Sequence, residues 1–130
     1  MSGGPSRERR RRARLSRSGD FERVYREGQS HSNRYLVLYA FPRRGEENDG
    51  ETRLGISVSR KVGGAVERNA VKRALREAFW SLGDSPPRAH DFVLVARPDI
   101  AGLLERDGAR GVVAALQELV NEARPSAGTG

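Results

Sequence analysis

Cysteine is absent from the 130 residues, which excludes a disulfide framework, a thiolate metal site and a cysteine nucleophile. No apolar run approaches the ~20 residues needed to span a bilayer. Hydrophobic residues are scarce, at 36%, against a usual ~45–50%, so tails or long loops must hold much of the polar excess. Histidine occurs twice, as the isolated His31 and His90, and no paired carboxylates fall into a plausible catalytic site. Lysine is nearly missing too: only Lys61 and Lys72 stand among 24 basic residues. Arginine, which supplies the rest, suits phosphate and base recognition through its planar, bidentate fork. The length fits one domain, and these absences together point to a soluble, basic, intracellular protein.

What is present is positive charge, unevenly placed. Residues 1–77 hold 19 Lys and Arg against 10 Asp and Glu, giving +9, whereas residues 78–130 hold 5 against 7, giving −2; together they make the net +7. A polyanionic partner would therefore meet the first half. Residues 1–14 carry six arginines and almost nothing apolar. They lack the hydrophobic centre of a signal peptide and the amphipathic stripe of a transit peptide, so they read as a disordered basic arm. Residues 15–123 read as the domain and 124–130 as a flexible tail.

Within the domain, a short helix is expected from Ser18 to Glu27, ended by Gly28, with Phe21, Val24 and Tyr25 on one face. Tyr35–Phe41 reads as a strand apolar on both faces, with Tyr35, Val37 and Tyr39 sharing one of them. Residues 43–52 contain four acids and no apolar side chain, and read as a solvated loop that nothing would organise into a metal cage. Arg53–Ser59 alternates, Leu54, Ile56 and Val58 pointing one way and Gly55, Ser57 and Ser59 the other. A long helix follows over 65–82, then a strand at Asp91–Ala96, then an amphipathic helix over Arg110–Ala123 with Val113, Leu116, Leu119 and Val120 inward.

The informative stretch is Ser59–Trp80, SRKVGGAVERNAVKRALREAFW. Arg68, Lys72 and Arg76 form one line along the helix, with Asn69 and Arg73 beside it, all within an arc of about 140° at ~100° per residue. Val71, Ala74, Leu75 and Ala78 take the other side. Arg60 and Lys61 arrive from the preceding strand. A merely solvated face is the alternative, but such faces interleave both signs, whereas like charges at i, i+4 and i+8 repel unless a polyanion is present. One turn apart, these cations match neighbouring phosphates of a folded nucleic acid, and Asn69 could touch a ribose hydroxyl or base edge. Gly63 and Gly64 serve either a turn or the approach of backbone amides to a phosphate.

This stretch resembles the signature of the bacterial ribonuclease P protein subunit family: a serine, two cations, a Gly-Ala turn, then Arg-Asn, Lys-Arg and Arg-Glu. The likeness continues in LSRSGDFERVYREG, NRYLVLYA and DFVLVARP, covering about Leu15 to Val120 in collinear order. One departure is Ala70, where the family usually has arginine. The resemblance implies an α+β fold: a small two-layer α/β sandwich with a mixed four-stranded sheet, about three helices and a left-handed β-α-β crossover, against the general right-handed rule. It also implies a subunit of an endoribonuclease that removes 5′ leaders from precursor tRNA. Catalysis then belongs to the RNA and to Mg²⁺ held mainly by that RNA, with no catalytic or metal-binding side chain in the protein.

Two surfaces are implied. Arg60, Lys61, Arg68, Asn69, Lys72, Arg73 and Arg76 would face the catalytic RNA. Phe21, Tyr25 and Tyr39, with Ser57 and Ser59, would line a cleft for the single-stranded leader, a role suited to stacking. Phe21 could equally anchor its helix in the core. Implied partners are the catalytic RNA, one protein per RNA, and precursor tRNA, with no membrane and a cytoplasmic location. A structural RNA-binding protein of similar fold, such as a ribosome component, is the alternative; a protein-only nuclease would need clustered acids that the helix face does not supply.

Overall fold

A computed structural model describes residues 13–14, 18–43 and 51–123. The basic arm up to residue 12, the acidic loop over 44–50 and the tail 124–130 lie outside the described residues. The elements are β1 (Ala13–Arg14), α1 (Ser18–Glu27), β2 (Gln29–Ser32), β3 (Leu36–Pro42), β4 (Arg53–Ser57), α2 (Ala65–Ser81), β5 (His90–Ala96) and α3 (Ile100–Ala123). Strands β2 to β5 form the body of a mixed sheet ordered β1-β4-β5-β3-β2, with two-residue β1 at its edge. β4 and β5 run parallel, joined through α2, while β3 is antiparallel to both β5 and β2.

The period-2 pattern divides the side chains between two faces. Leu36, Leu38 and Ala40 of β3, Leu54 of β4, and Phe92, Leu94 and Ala96 of β5 point into the main core. There they meet Val71, Leu75, Ala78 and Phe79 of α2 and Leu116, Leu119 and Val120 of α3. These two layers are the sandwich. On the reverse face, among the described residues, α1 is the helix that packs on the sheet: its Val24 meets Val93, flanked by Phe21, Tyr39, Phe41 and Val95. Val37, Tyr39 and Phe41 on that face are only partly buried. Among the described residues, no helix is long and apolar enough to cross a membrane.

Three local expectations shift. Tyr35 precedes β3 rather than opening it, and packs against the main core instead of sharing the face of Val37 and Tyr39. The cause is Asn33, whose side-chain oxygen accepts the N–H groups of Tyr35 and Leu36 at 2.9 and 3.0 Å, forming a turn that begins the strand one residue later. The same turn creates β2, whose sequence QSHS carries no hydrophobic pattern and forms a strand by pairing with β3 at the sheet edge. α3 is longer than expected: the helix foreseen over Arg110–Ala123 is preceded by a further helical segment from Ile100, because Ile100 and Leu103 also enter the core. Gly108, at φ 66° and ψ −155°, breaks it. That conformation has no steric penalty only in glycine.

Candidate RNA interface

The connection from β4 to α2 is a tight turn organised by one apolar side chain. Val62 is buried in the main core. Its N–H donates to the Ser59 carbonyl at 3.1 Å, and that of Gly63 donates to Arg60 at 3.2 Å. With Val62 pulled inward, Arg60 and Lys61 are turned out and exposed. Ser59 accepts the Lys61 N–H on its Oγ at 3.3 Å, so its hydroxyl shapes the turn. A Cβ at position 63 would come within 2.8 Å of the Glu67 Cβ. Close approach of the first turn of α2 therefore accounts for Gly63. The carbonyl of Gly64 accepts both the backbone N–H of Arg68 at 2.9 Å and its Nε at 3.3 Å.

From there α2 presents its polar side along its length. Asn69, Arg73 and Arg76 are exposed and Arg68 and Lys72 half-buried, as expected for groups flanking the buried line of Val71, Leu75 and Ala78. Among the described residues, none of Arg60, Lys61, Lys72, Arg73 and Arg76 forms an ion pair with a carboxylate. The helix and its preceding turn thus place these cations on one continuous, unneutralised surface. Such an array attracts a polyanion and gains from the counterions it displaces.

On the reverse face of the sheet, three of the expected cleft residues meet. The rings of Tyr25 and Tyr39 are edge to face, centroids 4.9 Å apart, and Phe21 stands 6.3 Å from Tyr25. Burial raises the pKa of the Tyr25 phenol; hydrogen bonding to the Ser57 side chain partly opposes this, and Tyr39 adds to it. Tyr25 nonetheless keeps 40% exposure, leaving aromatic surface open to solvent. Phe21 is half-buried beside Val24 and Val93, so it anchors α1 on the sheet. Ser59, lying beyond the end of β4, belongs to the turn rather than to this aromatic group.

One cluster has no counterpart in the sequence motifs. Asp91, fully buried at the start of β5, receives Arg53 of β4 through Nε and a second nitrogen, each at 2.8 Å. Arg23 of α1 reaches the same carboxylate at 3.3 Å and lies 4.9 Å over the Phe41 ring, while Arg43 stands at 3.6 Å. The parallel register pairs Arg53 with Asp91. Opposite charges opening two adjacent strands were the available signal, but it depends on knowing that β4 and β5 are neighbours. The effect is to tie α1 to the sheet, fixing Phe21 and Tyr25 relative to Tyr39. The histidines lie elsewhere: His31 is 3.5 Å from Glu122, and His90 stacks on Phe92.

Comparison with known proteins gives a consistent result. The ribonuclease P family model matches residues 10–122. The ribonuclease P protein component of Bacillus pumilus is 39% identical over 88 residues, covering 68% of this chain and 71% of its own length. That of Halalkalibacterium halodurans is 40% identical over 90 residues, covering 69% and 73%. The ribonuclease P protein of Thermotoga maritima superimposes with a TM-score of 0.75 at 31% identity, over 86% of this chain and 98% of its own. That of Staphylococcus aureus gives 0.73 at 32%, over 85% and 94%. The family match over most of the chain, the identity to these relatives and the superposition agree, and the chain belongs to the ribonuclease P protein family.

Proposed function

We propose that this chain acts as the protein subunit of ribonuclease P, docking on the catalytic RNA through α2 and holding the single-stranded 5′ leader of precursor tRNA on the α1 side of the sheet. The carrying observation is the unneutralised array of Arg60, Lys61, Lys72, Arg73 and Arg76, with Arg68 and Asn69 beside it, on one helix and its entry turn. An RNA backbone supplies the charge that array lacks. The leader needs binding without sequence preference, and the Phe21, Tyr25 and Tyr39 rings offer stacking faces, with Ser57 as a nearby hydroxyl.

The protein then acts by positioning and by charge. Endonucleolytic cleavage belongs to the RNA, which holds most of the Mg²⁺ that supplies the metal chemistry. Cations on the protein reduce the repulsion between two polyanions that must lie side by side, an effect with most weight when divalent ions are few. One protein per RNA and a cytoplasmic setting complete this reading.

The test is reconstitution with the catalytic RNA and an assay of precursor tRNA cleavage at low Mg²⁺. Cleavage well above that of RNA alone is expected; no gain overturns the proposal, and activity without RNA would transfer catalysis to the protein. Tyr39→Ala separates the two surfaces. Removing one stacked ring should weaken precursor tRNA binding to the holoenzyme by about 1–2 kcal/mol and leave mature tRNA, which has no leader, unchanged. Equal losses for both substrates would remove Tyr39 from the leader site.

A further inference from the structure

We infer that Trp80 forms a stacking platform for one unpaired base of the bound RNA, at the far end of the cationic stripe from the Gly63–Gly64 turn. This rests on the reading that the chain binds the catalytic RNA, and extends that surface by a residue of another kind. Trp80 continues the i, i+4 line of Arg68, Lys72 and Arg76 by one more helical turn. Its neighbour Phe79 is almost completely buried, whereas Trp80 remains half-buried, one part of the side chain packed against the core. The two rings meet at 90° with centroids 4.9 Å apart, so the indole is held in a defined orientation.

Beside the indole is a concave surface formed by Arg73, Arg76, Glu77, Trp80 and Ser81. Ser81 is already engaged, donating its hydroxyl to the Ala78 carbonyl at 2.7 Å. The remaining groups suit a nucleotide rather than a bare phosphate or an apolar peptide. Arg73 and Arg76 can take the phosphate, the half-exposed indole can take the base, and the Glu77 carboxylate can accept an exocyclic amine. A carboxylate there disfavours a second phosphate, which fits a base turned toward the helix. Charge complementarity argues against an acid-poor, apolar partner segment, and a large apolar ring in a basic stripe argues against phosphate contact alone.

Trp80 is the only tryptophan in the chain, so its emission reports this position directly. The full-length protein is titrated with the catalytic RNA, binding being followed independently by anisotropy of end-labelled RNA. Saturable change in tryptophan emission at the stoichiometry read by anisotropy is expected, with a marked fall in quenching by acrylamide. Trp80→Leu, which retains an apolar side chain for the core, should weaken binding about tenfold, and Trp80→Phe should recover most of that loss. Binding by anisotropy with tryptophan emission and acrylamide access unchanged, or a Trp80→Leu variant that folds and binds like the parent, overturns the inference and leaves the proposed function standing. No binding by anisotropy overturns both.

Discussion

Asp91→Asn lowers the stability of the fold by about 3 kcal/mol, enough to move the thermal midpoint by roughly 10–20 °C for a domain of this size. The substitution is nearly isosteric, so the loss does not come from a cavity. It comes from Arg23, Arg43 and Arg53, which all approach one fully buried carboxylate and would then face an amide in its place. Removing one partner of a buried ion pair typically costs ~3–5 kcal/mol, because the remaining charge stays desolvated. The lower end applies, since Arg23 and Arg53 keep about a quarter of their side chains exposed, at 24% and 22%, and all three arginines have further interactions. Differential scanning calorimetry of the protein alone checks this. A shift of only a few degrees would show that the cluster contributes little. A second readout follows from the position of Arg23: loosening α1 separates Phe21 and Tyr25 from Tyr39, so residual folded protein should bind leader-bearing substrate less well than mature tRNA.

Replacing Lys72 and Arg76 together by alanine should reduce affinity for the catalytic RNA by on the order of 100-fold at low salt, taking about 1.5 kcal/mol for each charge-assisted contact, the low end that suits groups on the surface. The slope of log affinity against log salt should fall by roughly 1.4–1.8, from about 0.7–0.9 per phosphate released. The deficit must therefore shrink as salt rises, which distinguishes lost phosphate contacts from misfolding. Both side chains lie off the buried line of α2, and neither forms an ion pair among the described residues, so stability should change little. Filter binding over a salt series decides it; parallel lines for variant and parent would move the docking surface to another part of the molecule.

The two predictions test sites whose visibility in the sequence differed for a physical reason. The α2 stripe is written in neighbouring residues: a 3.6-residue period converts spacing into a shared face, so Arg68, Lys72 and Arg76 could be aligned before any fold was known. Gly28 as the end of α1 and the alternation of β4 were legible on the same grounds. Edge strand β2 was not, because QSHS has no apolar period and owes its conformation to pairing with β3. Tyr35 departs from the face its spacing predicts because Asn33, three residues before Leu36, decides by side-chain hydrogen bonds where the strand begins.

Local order along the chain thus determined the helices, the core-facing halves of the strands and the cationic face of α2. Tertiary structure alone decided that Tyr25 meets Tyr39 and Ser57, that Asp91 collects arginines from three other segments, and that Trp80 stays half outside while Phe79 goes in. The first set follows from repeat distances within one element. The second joins residues up to 68 positions apart, and such contacts exist only once sheet order and register have been chosen. The absent cysteines and scarce lysines that narrow the chemistry at the outset say what the chain does without; the packing of one short helix on a sheet says where its remaining aromatic and cationic groups are presented.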